Sequence, residues 1–367
     1  MTNATTPVAG KATLSSQPSA SKPFDYLVFI GRFQPFHFGH LAILNKALAA
    51  AEHVVVVLGS AARPRTIKDP WTTQEREIMI RRNLSAEQKE RVTFIEVSDQ
   101  LYNDQKWVAS VQQSVEALIF ANTPSQKNLD EVRVGLIGHV KDDSSFYLKM
   151  FPQWALVEER DSFNLHASDI RTAYFSGETD LKSVGAPEPV AQYLEEFKAT
   201  EAFNTLQSEF TFIRDYKVGW QAAPYPPIFV TVDAVVVHSG HVLMVKRKAM
   251  PGKGLWALPG GFLNQKETIH NAVIRELREE TRIKLPEPVL RGAIKDQAVF
   301  DHPERSLRGR TVTHAFYMEF PYGELPPVRG ADDAEKAKWI PISKLFAMQA
   351  MMFEDHIDII SFFLGGH

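Results

Sequence analysis

The chain has no cysteine among its 367 residues. Disulfides, thiolate nucleophiles and cysteine-bound zinc or iron–sulfur centres are therefore excluded, and a reducing, cytoplasmic location is expected. Long apolar runs are also missing. The longest, such as Val54–Leu58, have strand length, far short of the ~20 residues of a membrane-spanning helix. Charge of one sign is scarce too: the formal net charge is −3. Neither a global basic field nor a basic recognition element is present to hold nucleic acid. Residues 1–24 lack the compact apolar core of a signal peptide and, rich in Ala, Ser and Thr, read as a disordered tail.

What is present has the balance of a soluble globular protein, with 44% hydrophobic and 23% charged residues. At roughly 100–200 residues per domain, the length suits two domains or three. In the first half, short apolar runs at Tyr26–Ile30, His53–Leu58, Val92–Val97, Val132–Ile137 and Trp154–Glu158 predict strands. Helix-period stretches at Leu41–Ala51, Thr73–Leu84 and Trp107–Phe120 separate them. Such alternation predicts an α/β domain over 25–200, a parallel sheet covered on both faces, with ligands at the carboxyl ends of its strands. The domain boundary falls between about 200 and 226: a helix-like stretch runs to about Phe212, the proline-rich "AAPYPPI" is stiff and extended, and 201–226 reads as the linker. From 227 to 367 the order is α+β: two strand-like runs flank a Ser239-Gly240 turn, then come "WALPGGF", one long helix and two further strands.

Two stretches carry chemistry. "FIGRFQPFHFGHLAIL", Phe29 to Leu44, passes from a strand through Gly31 and Pro35 into a helix beginning near Phe38. Gly39 is placed to let backbone approach a ligand, and a helix amino end favours an anion. His37 and His40, three apart on its first turn, share a face and can converge on one phosphoryl group. In the second stretch, "GGFLNQKETIHNAVIRELREETRI", Glu276, Glu279 and Glu280 fall on one helical face. Clustered carboxylates repel unless a cation sits among them, and oxygen donors suit Mg²⁺ or Mn²⁺. Arg275 can orient Glu279 through an i,i+4 pair.

"GRFQPFHFGH" resembles the GxFxPxHxGH signature of nucleotidyltransferases that move an adenylyl group from ATP. "GHVKDDSSFYLKMFPQW", Gly138 to Trp154, and "HASDIR", His166 to Arg171, resemble segments of the nicotinamide mononucleotide adenylyltransferases, though His166 and Ser168 replace commoner residues. The resemblance implies a Rossmann-like domain that joins ATP and the mononucleotide to give NAD and pyrophosphate, with Mg²⁺ on the triphosphate. It implies that His37 and His40 hold the ATP phosphates and Arg171 the β/γ phosphates, with Ser168 beside it. It places Gly31, Phe33, Gly39 and Gly138 against substrate, Trp107 against the nicotinamide ring, and Lys141 and Asp142 near ribose or the mononucleotide phosphate. In the related segment Thr66–Arg76, Asp69 replaces an Asn, and no role is carried onto it.

Gly261, Glu267, Arg275, Glu276, Glu279 and Glu280 match the Nudix box, Gly-x5-Glu-x7-Arg-Glu-U-x-Glu-Glu-x-Gly-U, except that its last glycine is Arg282. The resemblance implies metal-dependent hydrolysis of a nucleoside diphosphate derivative. Glu276, Glu279, Glu280 and the Gly261 carbonyl would hold metal, with Glu279 and Glu280 counted as catalytic; the general base is one of the glutamates or a loop acid. If the last position needs positive φ, Arg282 costs roughly 1–2 kcal/mol, and the helix end is expected to adjust. In the loop Phe300–Phe316, Arg305 and Arg308 are forks suited to phosphate, and the stretch resembles Nudix domains that bind ADP-ribose. Both motif sets together resemble bifunctional bacterial proteins that make NAD in one domain and cleave ADP-ribose to AMP and ribose 5-phosphate in the other. The alternative is a second domain that senses ADP-ribose or NAD without turnover. Oligomeric state is left open, a homo-oligomer included.

Overall fold

The computed structural model describes residues 22–122, 131–139, 143–159, 165–320 and 322–365; for 143–145 the description is of the backbone. Most of the expected amino-terminal tail and the candidates Lys141 and Asp142 lie outside the described residues. No helix among those described is long and apolar enough to cross a membrane.

The first domain is built on β1 (Phe24–Gly31), β2 (Ala51–Leu58), β3 (Val92–Glu96), β4 (Val134–His139) and β5 (Ala155–Glu159), in the order β3-β2-β1-β4-β5 with every pairing parallel. The central strands are near-continuous apolar runs, because helices cover both faces. Successive residues of a strand point to opposite faces. Thus Leu27, Phe29, Val54 and Val56 enter one core, while Val28, Ile30, Val55 and Val57 enter the other. The first core is closed by α1 (Phe38–Ala50), α2 (Thr73–Arg81) and, beyond the short α3 (Ala86–Glu90), by α5 (Ala167–Phe175) and α6 (Glu188–Phe197). The second is closed by α4 (Asp104–Asn122), whose Val108, Val111, Val115 and Ile119 recur at helical spacing, together with the 3₁₀ segment Asp143–Met150.

The segment expected as linker is mostly helix. Helix α7 spans Glu201–Gly219 and packs Phe203 and Leu206 into the first domain's core. Its buried Glu209 accepts a hydrogen bond from the Gly252 amide of the second domain at 3.1 Å. Apolar residues at 203, 206, 210 and 213 supply a stripe that outlasts the composition shift, so this connection is a strut between the domains.

The second domain carries a mixed sheet, β10-β11-β6-β7-β12, formed by β6 (Phe229–His238), β7 (His241–Arg247), β10 (Ile294–Phe300), β11 (Thr311–Phe320) and β12 (Ala334–Pro341). The short β8 (Trp256–Ala257) and β9 (Gly260–Phe262) pair with β7 and β6. The expected hairpin turns at Ser239 and Gly240, both at positive φ of 45° and 71°, the backbone that a right-twisted two-residue turn needs. Helix α8 (Ile269–Thr281) packs Ala272, Val273 and Leu277 against one face of the sheet; α9 (Glu287–Gly292) adds Leu290 there. After the short α10 (Ile342–Leu345), α11 (His356–Gly365) covers the other face through Ile359, Ile360 and Phe363.

The domains meet through polar contacts. Arg63 reaches the Asp358 carboxylate and the Glu354 carbonyl, each at 3.2 Å. Lys68 pairs with Glu304 at 2.7 Å. Tyr102 donates its hydroxyl to Asp355 at 2.6 Å and sets its ring edge-on to Phe300, 5.0 Å away.

Candidate functional sites

At the carboxyl end of β1 the chain turns through Phe33 at φ 52° and enters α1 with His37 as N-cap. The imidazoles of His37 and His40 stack with centroids 3.6 Å apart, and His40 Nδ1 accepts a hydrogen bond from the His37 amide at 3.3 Å. Aromatic rings of Phe33 and Phe36 flank His40. Both histidines border a cleft of about 540 Å³ that Gly31, Phe33, Trp107, Ser168 and Arg171 also line. These expected residues, scattered over more than 130 positions of sequence, are thus brought to one cavity.

Arg171 is held against the mouth of that cleft by a hydrogen bond to the Gln34 carbonyl. Burial pushes its pKa down to about 10, and Asp69 is the strongest opposing charge. A guanidinium at that pKa stays protonated near neutrality and is poorly solvated, a good donor to phosphate oxygens. Trp107 packs edge-on against Tyr147 and Phe151, which fixes its ring in the lining.

Two glycines do something other than expected. Gly39 does not line the cleft: the space its Cβ would take is filled by the His37 ring at 3.0 Å. Gly138 likewise yields its Cβ space to Leu148, 2.8 Å away. Both shape the site from behind. Other lining residues were not singled out from the sequence, among them Arg32, Gln34, Asp99, Gln100, Asp104 and His302. Arg32 and Gln34 sit inside the opening motif at its variable positions, and the rest arrive from distant loops.

In the second domain, Thr268 caps α8 and accepts from the Asn271 amide. The helix presents Glu276 and Glu280 inward, both largely buried, against the backbone of β9. Glu280 accepts a hydrogen bond from the Gly260 amide at 3.0 Å. Glu276 lies so close to Gly261 that a Cβ there would be 2.5 Å from its Oε1. Glu279 stands at the rim, with 44% of its side chain exposed, rather than sharing the inner face fully. Arg275 ties the group together, donating to Glu276 at 2.8 Å, to Glu279 at 2.9 Å and to Glu267 at 2.6 Å.

Burial pushes the Glu280 carboxyl up to about 8, with the Gly260 amide opposing and the Glu276 charge adding to the rise. Glu276 is also raised by burial, with Arg275 opposing. Paired, desolvated carboxylates around a glycine cradle fit a divalent cation, whose charge relieves both the burial and the mutual repulsion. A nearby cleft of about 720 Å³ touches Glu267, Arg275 and Glu279 on the outer side of α8 and does not reach Glu276 or Glu280. The cradle at Gly260–Gly261 has the better donors for a metal. The cluster Glu354–Asp355–His356 is less suited, because Asp355 already binds Arg305 and Tyr102, and His356 Nδ1 accepts from the Leu258 amide.

Two expectations change here. Arg282 keeps the left-handed backbone of the glycine it replaces, φ 49° and ψ 30°, so the side chain tolerates the strain and the helix end does not adjust. Arg305 is not available to phosphate. Its guanidinium forks onto Asp355 at 2.8 and 2.9 Å, with the two side chains 2% and 0% exposed. Burial favours a neutral Asp355, but Arg305 and Tyr102 outweigh it and hold the carboxyl below its usual range. Arg308 does remain beside a cavity, its guanidinium 5.0 Å from the Phe262 ring centroid. Arg247 lies with it near Glu354 and Glu280, a basic pair the motif reading did not identify.

Comparison with known proteins agrees with both halves. The cytidylyltransferase-like family matches residues 28–173 and the NUDIX domain family residues 227–363. The nicotinamide/nicotinic acid mononucleotide adenylyltransferase of Acinetobacter baylyi is 44% identical over 188 residues, 51% of this chain and 94% of that protein. The ADP-ribose pyrophosphatase of Methanocaldococcus jannaschii is 35% identical over 116 residues, 32% of this chain and 63% of that protein. A crystal structure of a bifunctional NMN adenylyltransferase/ADP ribose pyrophosphatase from Francisella tularensis, complexed with AMP and a manganese ion, superposes with a TM-score of 0.85. The two are 36% identical over 93% of this chain and 98% of that one.

Proposed function

This chain belongs to the family of bifunctional NMN adenylyltransferase/ADP-ribose pyrophosphatases, and we propose how its two sites divide the work. In the first domain the phosphate of nicotinamide mononucleotide attacks the α-phosphorus of ATP. The new anhydride yields NAD, and pyrophosphate leaves with the electron pair of the broken bond. No covalent enzyme intermediate is required, so positioning and charge stabilisation supply the catalysis. His37 and His40 face the transferring phosphoryl group, Arg171 the departing pyrophosphate with Ser168 beside it, and Trp107 the nicotinamide ring.

In the second domain, water attacks the pyrophosphate of ADP-ribose to give AMP and ribose 5-phosphate. Glu276 and Glu280, with Glu279 from the rim and the Gly261 carbonyl, would hold divalent metal; the all-oxygen donor set suits Mg²⁺, with Mn²⁺ as an alternative. When bound, such a cation polarises the pyrophosphate and lowers the pKa of water. Arg275 orients the carboxylates, and Arg308 and Arg247 offer charge to the substrate phosphates. The intact, buried glutamate pair favours turnover over sensing. The protein is expected to work in the cytoplasm on small nucleotides.

The observation that carries the first assignment is the stacked His37–His40 pair at the cleft that Arg171 also lines. Its test is His40→Ala in the full chain, supplied with ATP, nicotinamide mononucleotide and Mg²⁺. NAD formation should fall by at least ~100-fold, the scale of losing a preorganised charge-stabilising group, while ADP-ribose hydrolysis persists. NAD formation near the parent rate would overturn the assignment.

A further inference from the structure

The cleft of the first domain is not built from that domain alone. His302, from the loop between β10 and β11 of the hydrolase domain, lines it together with Arg32, Asp99, Gln100 and Leu101. Three contacts fix the loop there. Glu304 pairs with Lys68 of the first domain at 2.7 Å. Arg305, one residue on, is locked to Asp355, which Tyr102 of the first domain also binds. The Tyr102 ring stands perpendicular to the His302 ring, with centroids 6.3 Å apart.

The imidazole is also oriented. The Glu304 amide donates to His302 Nδ1 at 3.2 Å. In the neutral ring the proton therefore sits on Nε2, which leaves Nε2–H as a donor toward a ligand. Arg32 and Arg171 line the same cleft as His302, with Asp99 and Asp104 as its acids, and the loop's own Glu304 is paired with Lys68. A donor beside Arg32 and Arg171 suits a phosphoryl oxygen better than an uncharged ring.

We propose that His302 of the hydrolase domain completes the adenylyltransferase pocket across the domain boundary, donating a hydrogen bond from Nε2 to a phosphoryl oxygen of a bound nucleotide. This assignment depends on the first domain's proposed reaction. His302 acts on affinity, since the histidine pair and Arg171 of the first domain face the reacting phosphates. Two substrates carry the chemistry it recognises, the triphosphate of ATP and the phosphate of the mononucleotide, and separate titrations distinguish them.

The test is steady-state kinetics of NAD formation by the full chain, comparing the parent with His302→Ala and His302→Gln. Loss of a hydrogen bond to a charged group is on the order of tenfold or more in affinity. His302→Ala should therefore raise KM about tenfold for whichever substrate is held, with a smaller change in kcat and in the KM of the other. His302→Gln, which keeps an N–H donor at similar reach, should recover part of the loss. ADP-ribose hydrolysis by the same preparations, expected within about twofold of the parent, reports that the loop and domain remain folded. Unchanged KM values for both substrates in a folded His302→Ala protein would overturn the proposal, as would equal losses in the Ala and Gln variants. A parent enzyme that forms no NAD would instead refute the underlying reaction.

Discussion

Gly261 offers a perturbation whose consequence can be worked from geometry. A methyl group at this position would put its carbon 2.5 Å from Glu276 Oε1 and 2.7 Å from Cδ. A relaxed carbon–oxygen contact is about 3.3 Å, so the atoms must part by roughly 0.8 Å. The strand cannot readily give way: Gly261 is in register with Val232 of β6, and at adjacent Gly260 an added Cβ would already meet the Val232 carbonyl at 2.1 Å. The Glu276 carboxylate, at the end of a flexible side chain, is what moves. Displacing a reacting or ligating group by about 1 Å can cost ~100-fold in rate. Gly261→Ala should therefore lower kcat for ADP-ribose hydrolysis by about 10–100-fold and raise the Mg²⁺ or Mn²⁺ concentration for half-maximal rate. NAD formation by the same protein should stay at the parent level, since neither Gly261 nor Glu276 lines that cleft. A Gly261→Ala enzyme that hydrolyses ADP-ribose at the parent rate with the parent metal requirement would remove Glu276 from the metal site.

Arg282→Gly relieves a left-handed residue costing about 1–2 kcal/mol, offset by about 0.4–1 kcal/mol of extra unfolded-state entropy. The second domain's thermal transition should rise by a few degrees at most, and a fall would show that the Arg282 side chain contributes packing that outweighs the strain. Arg305→Ala leaves Asp355 buried without its partner and should cost about 3–5 kcal/mol in denaturant unfolding; a stable variant with a raised KM for ADP-ribose would return Arg305 to substrate binding. Burial lifts the Asp358 carboxyl to about 6 in the folded chain, with Arg63 opposing. Its contribution is fully present below its ordinary value and is lost as pH rises through about 6, so the parent should gain up to about 3 kcal/mol from this group as pH falls from 7 toward 4. Asp358→Asn should lack that gain, and parallel stability–pH curves for the two proteins would exclude it.

Both chemistries were legible because each is written at short range. The strand end at Gly31, His37 and His40 lie within ten residues, and Glu276, Glu279 and Glu280 occupy one helix whose period fixes their relation. The parallel sheet was likewise readable from apolar runs of strand length, since burial on both faces leaves no polar alternation to interpret. What failed was of another kind. Ligand contact is expected of Gly39 from its place at the strand–helix junction and of Gly138 from the resemblance alone. Here neighbouring side chains, the His37 ring and Leu148, take the room. Arg305 looks like Arg308 in sequence, and only a carboxylate 50 positions downstream decides that one is locked and the other left beside a cavity. Pairings at that separation leave no periodic trace.

The same loop gives the connection between the domains its importance. A flexible connection would let the hydrolase domain drift, and His302 could not keep a fixed place in the other domain's cleft. Instead α7 packs Phe203 and Leu206 into the first core and reaches the second domain through Glu209. Arg63, Lys68 and Tyr102 then fasten the face where His302 enters. The Lys68–Glu304 pair, with Glu304 largely exposed, contributes little alone, whereas Arg63–Asp358 and Tyr102–Asp355 are largely buried. They are spread over the strut, the loop and α11, so they oppose rotation of one domain against the other about more than one axis. A histidine held that way loses little entropy on meeting a phosphate, which is the condition for a single donor to yield a measurable share of affinity.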